Sequence, residues 1–197
     1  MKHIQEKSLV IIKPDGVQRS LIGEVVKRFE QVGLKLVALK FEIPTVDKVK
    51  KHYTIDPSWI EKAGKKALAQ KEENTSDMDP LDMGNMILQK LQTYMSSGPV
   101  VIMVWQGAHA VGVIRKLVGG TEPRTSDVGT IRGDFVHDSY EISNIENRSV
   151  RNVVHASGTI EEAEAEIATW FEPKEIISYR LVAEQILYDV NVDGILE

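Results

Sequence analysis

Arg151-Asn-Val-Val-His-Ala-Ser-Gly-Thr159 joins a short apolar run to an Ala/Glu-rich segment, and its reading decides the architecture. Val150 to Val154 predicts a strand. Thr159-x-x-Glu162 has capping-box spacing, so a helix is expected to begin there, with Ile160, Ala163, Ile167, Trp170 and Phe171 on its apolar side. His155 falls between the two elements, and open α/β sheets place their ligands at such junctions. An imidazole there can be a nucleophile, a base or a metal ligand.

Working outward, Leu9 to Lys13 predicts a buried strand stopped by Pro14-Asp15-Gly16. Ser20 is placed to cap a helix carrying Leu21, Ile22, Val25, Val26, Phe29 and Val32 at helical spacing, with Gly33 as the stop. Leu34 to Ile43 predicts a second strand ended by Pro44, and Thr45 to Tyr53 a short helix. Residues 54–96 form a polar, Lys-rich excursion of two helices joined near Asn74 to Pro80. Pro99 to Trp105 is a third strand, and Ala108 to Val118 a helix closed by Gly119-Gly120. A long Gly/Pro/Thr loop runs from Thr121 to Gly133, followed by a second polar excursion from Asp138 to Arg148. The order is β-α-β, a helical excursion, then β-α-β. That predicts an α+β fold of the ferredoxin-like kind, an antiparallel sheet with helices packed on it, in one domain spanning 1–197.

Composition narrows the function classes. A 42% hydrophobic content supports a core in a chain of 197 residues. The absence of cysteine excludes disulfides, thiolate metal sites and cysteine nucleophiles. A net charge of −5 argues against a protein built to coat nucleic acid. The N-terminus is polar, and no apolar run reaches membrane-spanning length, so the expectation is a soluble, cytoplasmic protein.

Several side chains are candidates for chemistry. Taken alone, Lys13 reads as a solvated lysine at a strand end, although it is well placed to reach a ligand over the sheet edge. Arg115 can simply snorkel from its helix. Arg132 lies in a Gly-flanked loop, where a guanidinium meets phosphate oxygens bidentately. Its Arg132-Gly133-Asp134 context points to adhesion only in a secreted chain, which this does not look like. Asn152 offers an amide three residues before His155, and Glu166 is placed to reach back to the imidazole. No HxH, HxxxH or HExxH spacing, Walker A motif or GxGxxG is present, so separate cationic side chains would have to bind any phosphate.

Ile12-Lys-Pro-Asp-Gly-Val-Gln-Arg19, Ser97-Gly-Pro-Val-Val101, Gly129-Thr-Ile-Arg-Gly-Asp-Phe135 and Asn152-x-x-His155-x-Ser157, in that order, resemble the nucleoside diphosphate kinases over nearly the whole chain. The resemblance implies transfer of the γ-phosphate of a nucleoside triphosphate, with ATP as donor, to a nucleoside diphosphate. The reaction would be ping-pong through a phosphohistidine, with Mg²⁺ held by the nucleotide's own phosphates, in a homo-oligomer of four or six chains. By the same resemblance His155 is the nucleophile and Glu166 orients it. Tyr53 lies nearby, and Lys13, Arg115, Thr121 and Arg132 bind phosphate. Asn152 contacts the sugar, and Trp59 is the candidate for stacking on the base. Three departures stand out. Ala156 and Gly158 occupy places where the family has glycine and aspartate, the base-stacking phenylalanine has no clear counterpart, and insertions are expected near 56–92 and 138–149. The alternatives are a catalytically weak nucleotide-binding or scaffolding member of the family and, more remotely, a nucleic-acid binder.

Overall fold

A computed structural model describes residues 5–69 and 78–188. Its sheet has four strands in the order β2-β3-β1-β4, where β1 is Glu6–Ile12, β2 Lys35–Glu42, β3 Val100–Gly107 and β4 Val154–Ala156. Every neighbouring pair is antiparallel. This is the expected ferredoxin-like order, with the first and third strands central.

Strand alternation divides the core into two layers. Val10 and Ile12 of β1 face one side, packing with Val25 and Phe29 of α2 (Ile22–Glu30) and Ile114 and Val118 of α6 (Ala110–Val118). Leu9 and Ile11 face the other, with Val49 of α3 (Val46–Tyr53) and Trp170 at the end of α9 (Ile160–Trp170). A one-turn helix, α1 (Pro14–Gln18), follows β1 directly.

The polar excursion forms α4 (Trp59–Ala69) and α5 (Pro80–Met95), and the expected join near Asn74 lies outside the described residues. The two helices pack backbone to backbone because glycines meet at the crossing. A Cβ on Gly64 would sit 1.8 Å from the Pro80 carbonyl oxygen, and one on Gly84 2.0 Å from that of Ile60. The second excursion contains α8 (Tyr140–Ile145).

Some local expectations need correction. The last strand covers 154–156 rather than 150–154, because Asp138 and the loops around residue 152 take up the backbone before it. Ser20 does not cap α2: it lies at φ 58°, and Leu21 is the capping position without a side-chain bond. α2 ends at Glu30, and Val32 is half exposed. Thr159 does cap α9 through Glu162 N, but the Glu162 carboxylate returns to Gly158 N, one residue before the position a capping box uses. The Thr121 to Gly133 segment is not all loop, since α7 (Ile131–Phe135) begins inside it, capped by Thr130.

Candidate active site

His155 lies within β4, paired across the strands with Ile11. Val154 and Ala156 belong to the layer under α2 and α6, so alternation turns His155 to the opposite face, toward α3 and α9. There the imidazole Nε2 is 2.8 Å from Glu166 Oε1. Ser157, two residues on and on the same face, donates to Glu166 Oε2 at 2.6 Å and accepts from Leu9 N at 3.1 Å. An ionised carboxylate only accepts, so Nε2 carries the ring proton and Nδ1 keeps its lone pair. The His155 side chain is 16% exposed. Burial and the nearby Lys13 hold its pKa well below the ordinary histidine value, so the ring is neutral at physiological pH. Burial pushes Glu166 upward, opposed by His52 and by the Ser157 hydrogen bond.

Three cations converge on this imidazole. Lys13 is buried rather than solvated, and its Nζ donates to Asn152 Oδ1 at 2.7 Å. Burial, helped by Arg132, pushes it down to about 7. Arg132 is also buried, held by four backbone carbonyls. Nη1 donates to Gly119 and Gly120, Nη2 to Val154 at 2.6 Å, and Nε to Asn152 at 3.3 Å. Of five guanidinium N–H donors one remains, which corrects the bidentate expectation: this arginine has a single bond left to give. Arg115 differs, being exposed with no hydrogen bond or ion pair among the described residues.

Asn152 also donates Nδ2 to the Thr121 carbonyl at 2.9 Å, which ties the otherwise exposed Thr121 to the site. Tyr53 stands 6.3 Å from His155, ring centre to ring centre, and Trp59 packs 5.3 Å from Tyr53 on the outer side. His155, Glu166, Lys13, Arg132, Asn152, Thr121, Tyr53 and Trp59 therefore lie together, while Arg115 acts on them only through its charge.

The backbone between Asn152 and His155 is strained. Val153, β-branched and buried, has φ 63°, and Val154 N donates to Asn152 O at 2.6 Å. This is the rare γ-turn with positive φ, which persists only where surrounding contacts over-determine it. Here Lys13 N donates to Val153 O at 2.7 Å, and Val153 N donates to Asp15 Oδ2 at 3.2 Å. Tyr94 Oη donates to the other Asp15 oxygen at 2.5 Å, and Arg132 grips the carbonyls on either side. Gly16 makes room for the turn, because a Cβ there would lie 3.0 Å from Val153 Cγ1 and 2.8 Å from Ile12 Cγ2.

Sequence reasoning met Ser157 only as a motif letter and Asp15 only as a turn and motif residue, and it passed over Tyr94 and His52. His52 is buried on α3, with Nδ1 accepting from Trp170 Nε1–H at 3.2 Å and Nε2 3.6 Å from Glu166 Oε1. Its signal was helical spacing: three residues after the buried Val49, it shares the inward face. His52, His155 and Glu166 bring potential ligand atoms within 4.8 Å of one another. Glu166 is hydrogen-bonded to His155, whereas His52 accepts from Trp170 and makes no hydrogen bond to Glu166 among the described residues. At Gly158 the Glu162 carboxylate fills the space of a side chain, 2.6 Å from where a Cβ would be.

A ferredoxin-like sheet that presents a neutral, carboxylate-held imidazole to converging cations defines a site for covalent transfer of an anionic group. The family model for nucleoside diphosphate kinase matches residues 6–176. The nucleoside diphosphate kinase of Pyrobaculum aerophilum is 43% identical over 179 residues, covering 87% of this chain and 98% of that one. A crystal structure of an NDP kinase from the same organism superposes with a TM-score of 0.84 at 40% identity, covering 88% of this chain and all of that one. A transition-state mimic of the nucleoside-diphosphate kinase from Borrelia burgdorferi, with bound vanadate and ADP, superposes with a TM-score of 0.78 at 38% identity, covering 94% and 98%. This chain belongs to the nucleoside diphosphate kinase family.

The two arginines are expected to separate in stability measurements. Arg132→Lys leaves buried carbonyls unpartnered and should cost about 3 kcal/mol in urea unfolding. Arg115→Ala should change stability by less than about 0.5 kcal/mol. Equal effects would contradict the four-carbonyl assignment.

Proposed function

We propose that this protein transfers the γ-phosphate of a nucleoside triphosphate, ATP foremost, to a nucleoside diphosphate through a phosphohistidine at His155. The observation that carries the reading is the Glu166 hydrogen bond to His155 Nε2, which leaves Nδ1 as a neutral nucleophile among three cations. Nδ1 attacks the γ-phosphorus in line, and the bond to the bridging oxygen breaks, releasing the diphosphate. In the second half-reaction the acceptor's terminal phosphate oxygen attacks phosphorus, and the P–N bond breaks. The Nε2 proton stays on the ring, and Glu166 balances the charge that phosphorylation places there.

Phosphoryl transfer spreads charge over the equatorial oxygens, so positioning and electrostatics supply most of the catalysis. Lys13 and Arg115 donate toward those oxygens, and Arg132 adds its one remaining N–H. Asn152 keeps one N–H and one lone pair for a sugar hydroxyl, and Thr121 completes the phosphate rim. Tyr53 flanks the histidine, and Trp59 offers a π-face that accepts any base, so selection among bases is weak.

Mg²⁺ belongs to this reading as an ion carried by the nucleotide's phosphates, where it supplies further positive charge. The carboxylates beside the histidine are already engaged, Asp15 by Tyr94 and Val153, Glu166 by His155 and Ser157. These carboxylate oxygens therefore already have partners, and the side chains left to face phosphate are cationic.

We further propose a homo-oligomer, tetramer or hexamer, working in the cytoplasm as one domain with additions near 56–92 and 138–149. The outer edge strand β2 leaves Leu39, Phe41 and the following Ile43 more than half exposed, the kind of edge that pairs with another copy. Among the described residues no helix is long and apolar enough to cross a membrane.

The direct test uses γ-labelled ATP and Mg²⁺ without acceptor, followed by a GDP chase. Acid-labile label on wild type, absent from His155→Ala and chased into GTP, is expected. Nucleotide binding without label would instead mark a non-catalytic binding protein. A second expectation concerns Lys13. Its pKa near 7 means that it is largely neutral at pH 8.5, and a bound phosphate restores its charge. Calorimetry of ADP binding at pH 8.5 in buffers of different ionisation enthalpy should show uptake of close to one proton, lost in Lys13→Arg. Zero uptake by wild type would remove Lys13 from the phosphate contacts.

A further inference from the structure

We propose that His52 is a positioning residue for this transfer: Trp170 fixes its tautomer, and the resulting Nε2–H serves Glu166 as an additional donor that keeps the carboxylate aimed at His155. The inference rests on the phosphohistidine reading and extends it to α3.

An indole N–H only donates, so the 3.2 Å contact from Trp170 Nε1 requires an unprotonated Nδ1 on His52. In the neutral ring the proton is then on Nε2. That atom is fully buried and has no hydrogen-bond partner among the described residues, and Glu166 Oε1 stands 3.6 Å away. A buried donor without a partner is costly, so one held this way points to a state in which it is used. Hydrogen bonds of a resting active site are often long and tighten when charge develops. Charge develops here when His155 is phosphorylated, and the same Oε1 atom then answers to both rings.

The geometry is built by helical spacing. Glu166 and Trp170 lie four residues apart on α9, one above the other, so a single helix face supplies both contacts to His52. The His52 ring packs edge-on against His155 at 4.6 Å between centres and against Tyr53 at 4.8 Å, so it cannot turn away without disturbing the nucleophile.

The neighbouring charges make this donor consequential. Lys13 follows β1 as the capping position of α1, Arg132 comes from α7 and Arg115 from α6. Glu162 lies one turn before Glu166 on α9, Tyr53 follows His52 on α3, and Lys48 caps the outer face of the Trp170 ring at 4.7 Å. Burial pushes Glu166 toward its protonated form and pushes His52 down to about 3, so His52 acts as a neutral dipole and not as an ion. A neutral Nε2–H pointed at the carboxylate favours its ionised form. Removing that donor raises the Glu166 pKa, and the acid limb of the reaction moves to higher pH.

The test compares His52→Leu, which removes both ring nitrogens, with His52→Gln, which can place an amide N–H where Nε2–H stands. Two readouts are taken on folded protein: the rate of covalent labelling from γ-labelled ATP across pH 5–9, and the ¹⁵N shifts of His155 in the unphosphorylated protein. The leucine variant is expected to label about ten-fold more slowly at pH 7. Its acid limb should move up by about one pH unit, and its His155 signals should show mixed tautomers. The glutamine variant should recover the wild-type limb and the Nε2–H tautomer. A leucine variant with a wild-type limb and an unmixed Nε2–H tautomer would overturn the proposal. If wild type takes no label, the phosphohistidine reading fails, while the tautomer readout still decides whether His52 positions Glu166.

Discussion

The site depends on a single buried carboxylate. Glu166 is almost fully covered, and an ionised carboxyl group persists in such a place only when donors surround it. Ser157 occupies one oxygen and His155 the other, with His52 close behind. Ser157 in turn is held by the backbone of Leu9, at the start of the buried run of β1. The orientation of the nucleophile therefore follows from the register of β4 on β1, because a one-residue slip would turn His155 into the opposite core layer.

A second constraint is the turn at Val153, which costs about 1–3 kcal/mol in backbone strain. The strain lets Asn152, Val154 and His155 project in directions that a regular strand would not allow. Arg132 binds the carbonyls on both sides of the turn and also those of Gly119 and Gly120. One guanidinium on α7 thus ties the Gly119-Gly120 segment to the turn before β4 and adds to the positive field at the imidazole. Arg115, by contrast, is exposed and makes no hydrogen bond or ion pair among the described residues.

The fold was legible because its signals are local and periodic: apolar runs with period two, amphipathic helices, and the Thr159 cap. The strained part was not. Val150 to Val154 looks like a strand because nothing in Val153-Val154 announces φ 63° at Val153, a conformation imposed by Lys13, Asp15 and Arg132 from distant parts of the chain. Lys13, read alone, looked solvated, whereas it is buried, bonded to Asn152 and set over the Tyr94 ring. Glu166 was visible through its spacing on α9. For His52 only the inward facing was signalled, by its spacing from Val49; its partners Trp170 and Glu166 lie more than a hundred residues away. Arg132 was recognised as a cation but misread in valence, because the carbonyls that consume its donors carry no sequence signature.

The central claim is that Glu166 holds Nε2 and leaves Nδ1 to attack. It is tested most directly by locating the phosphorus on the ring. Protein labelled with ¹⁵N-histidine would be incubated with ATP and Mg²⁺, and ³¹P–¹⁵N couplings recorded for His155. The account predicts coupling to Nδ1, with Nε2 still protonated and bonded to Glu166. Phosphorus coupled to Nε2 would contradict it, because the carboxylate would then have been displaced from the position on which the rest of the site is built.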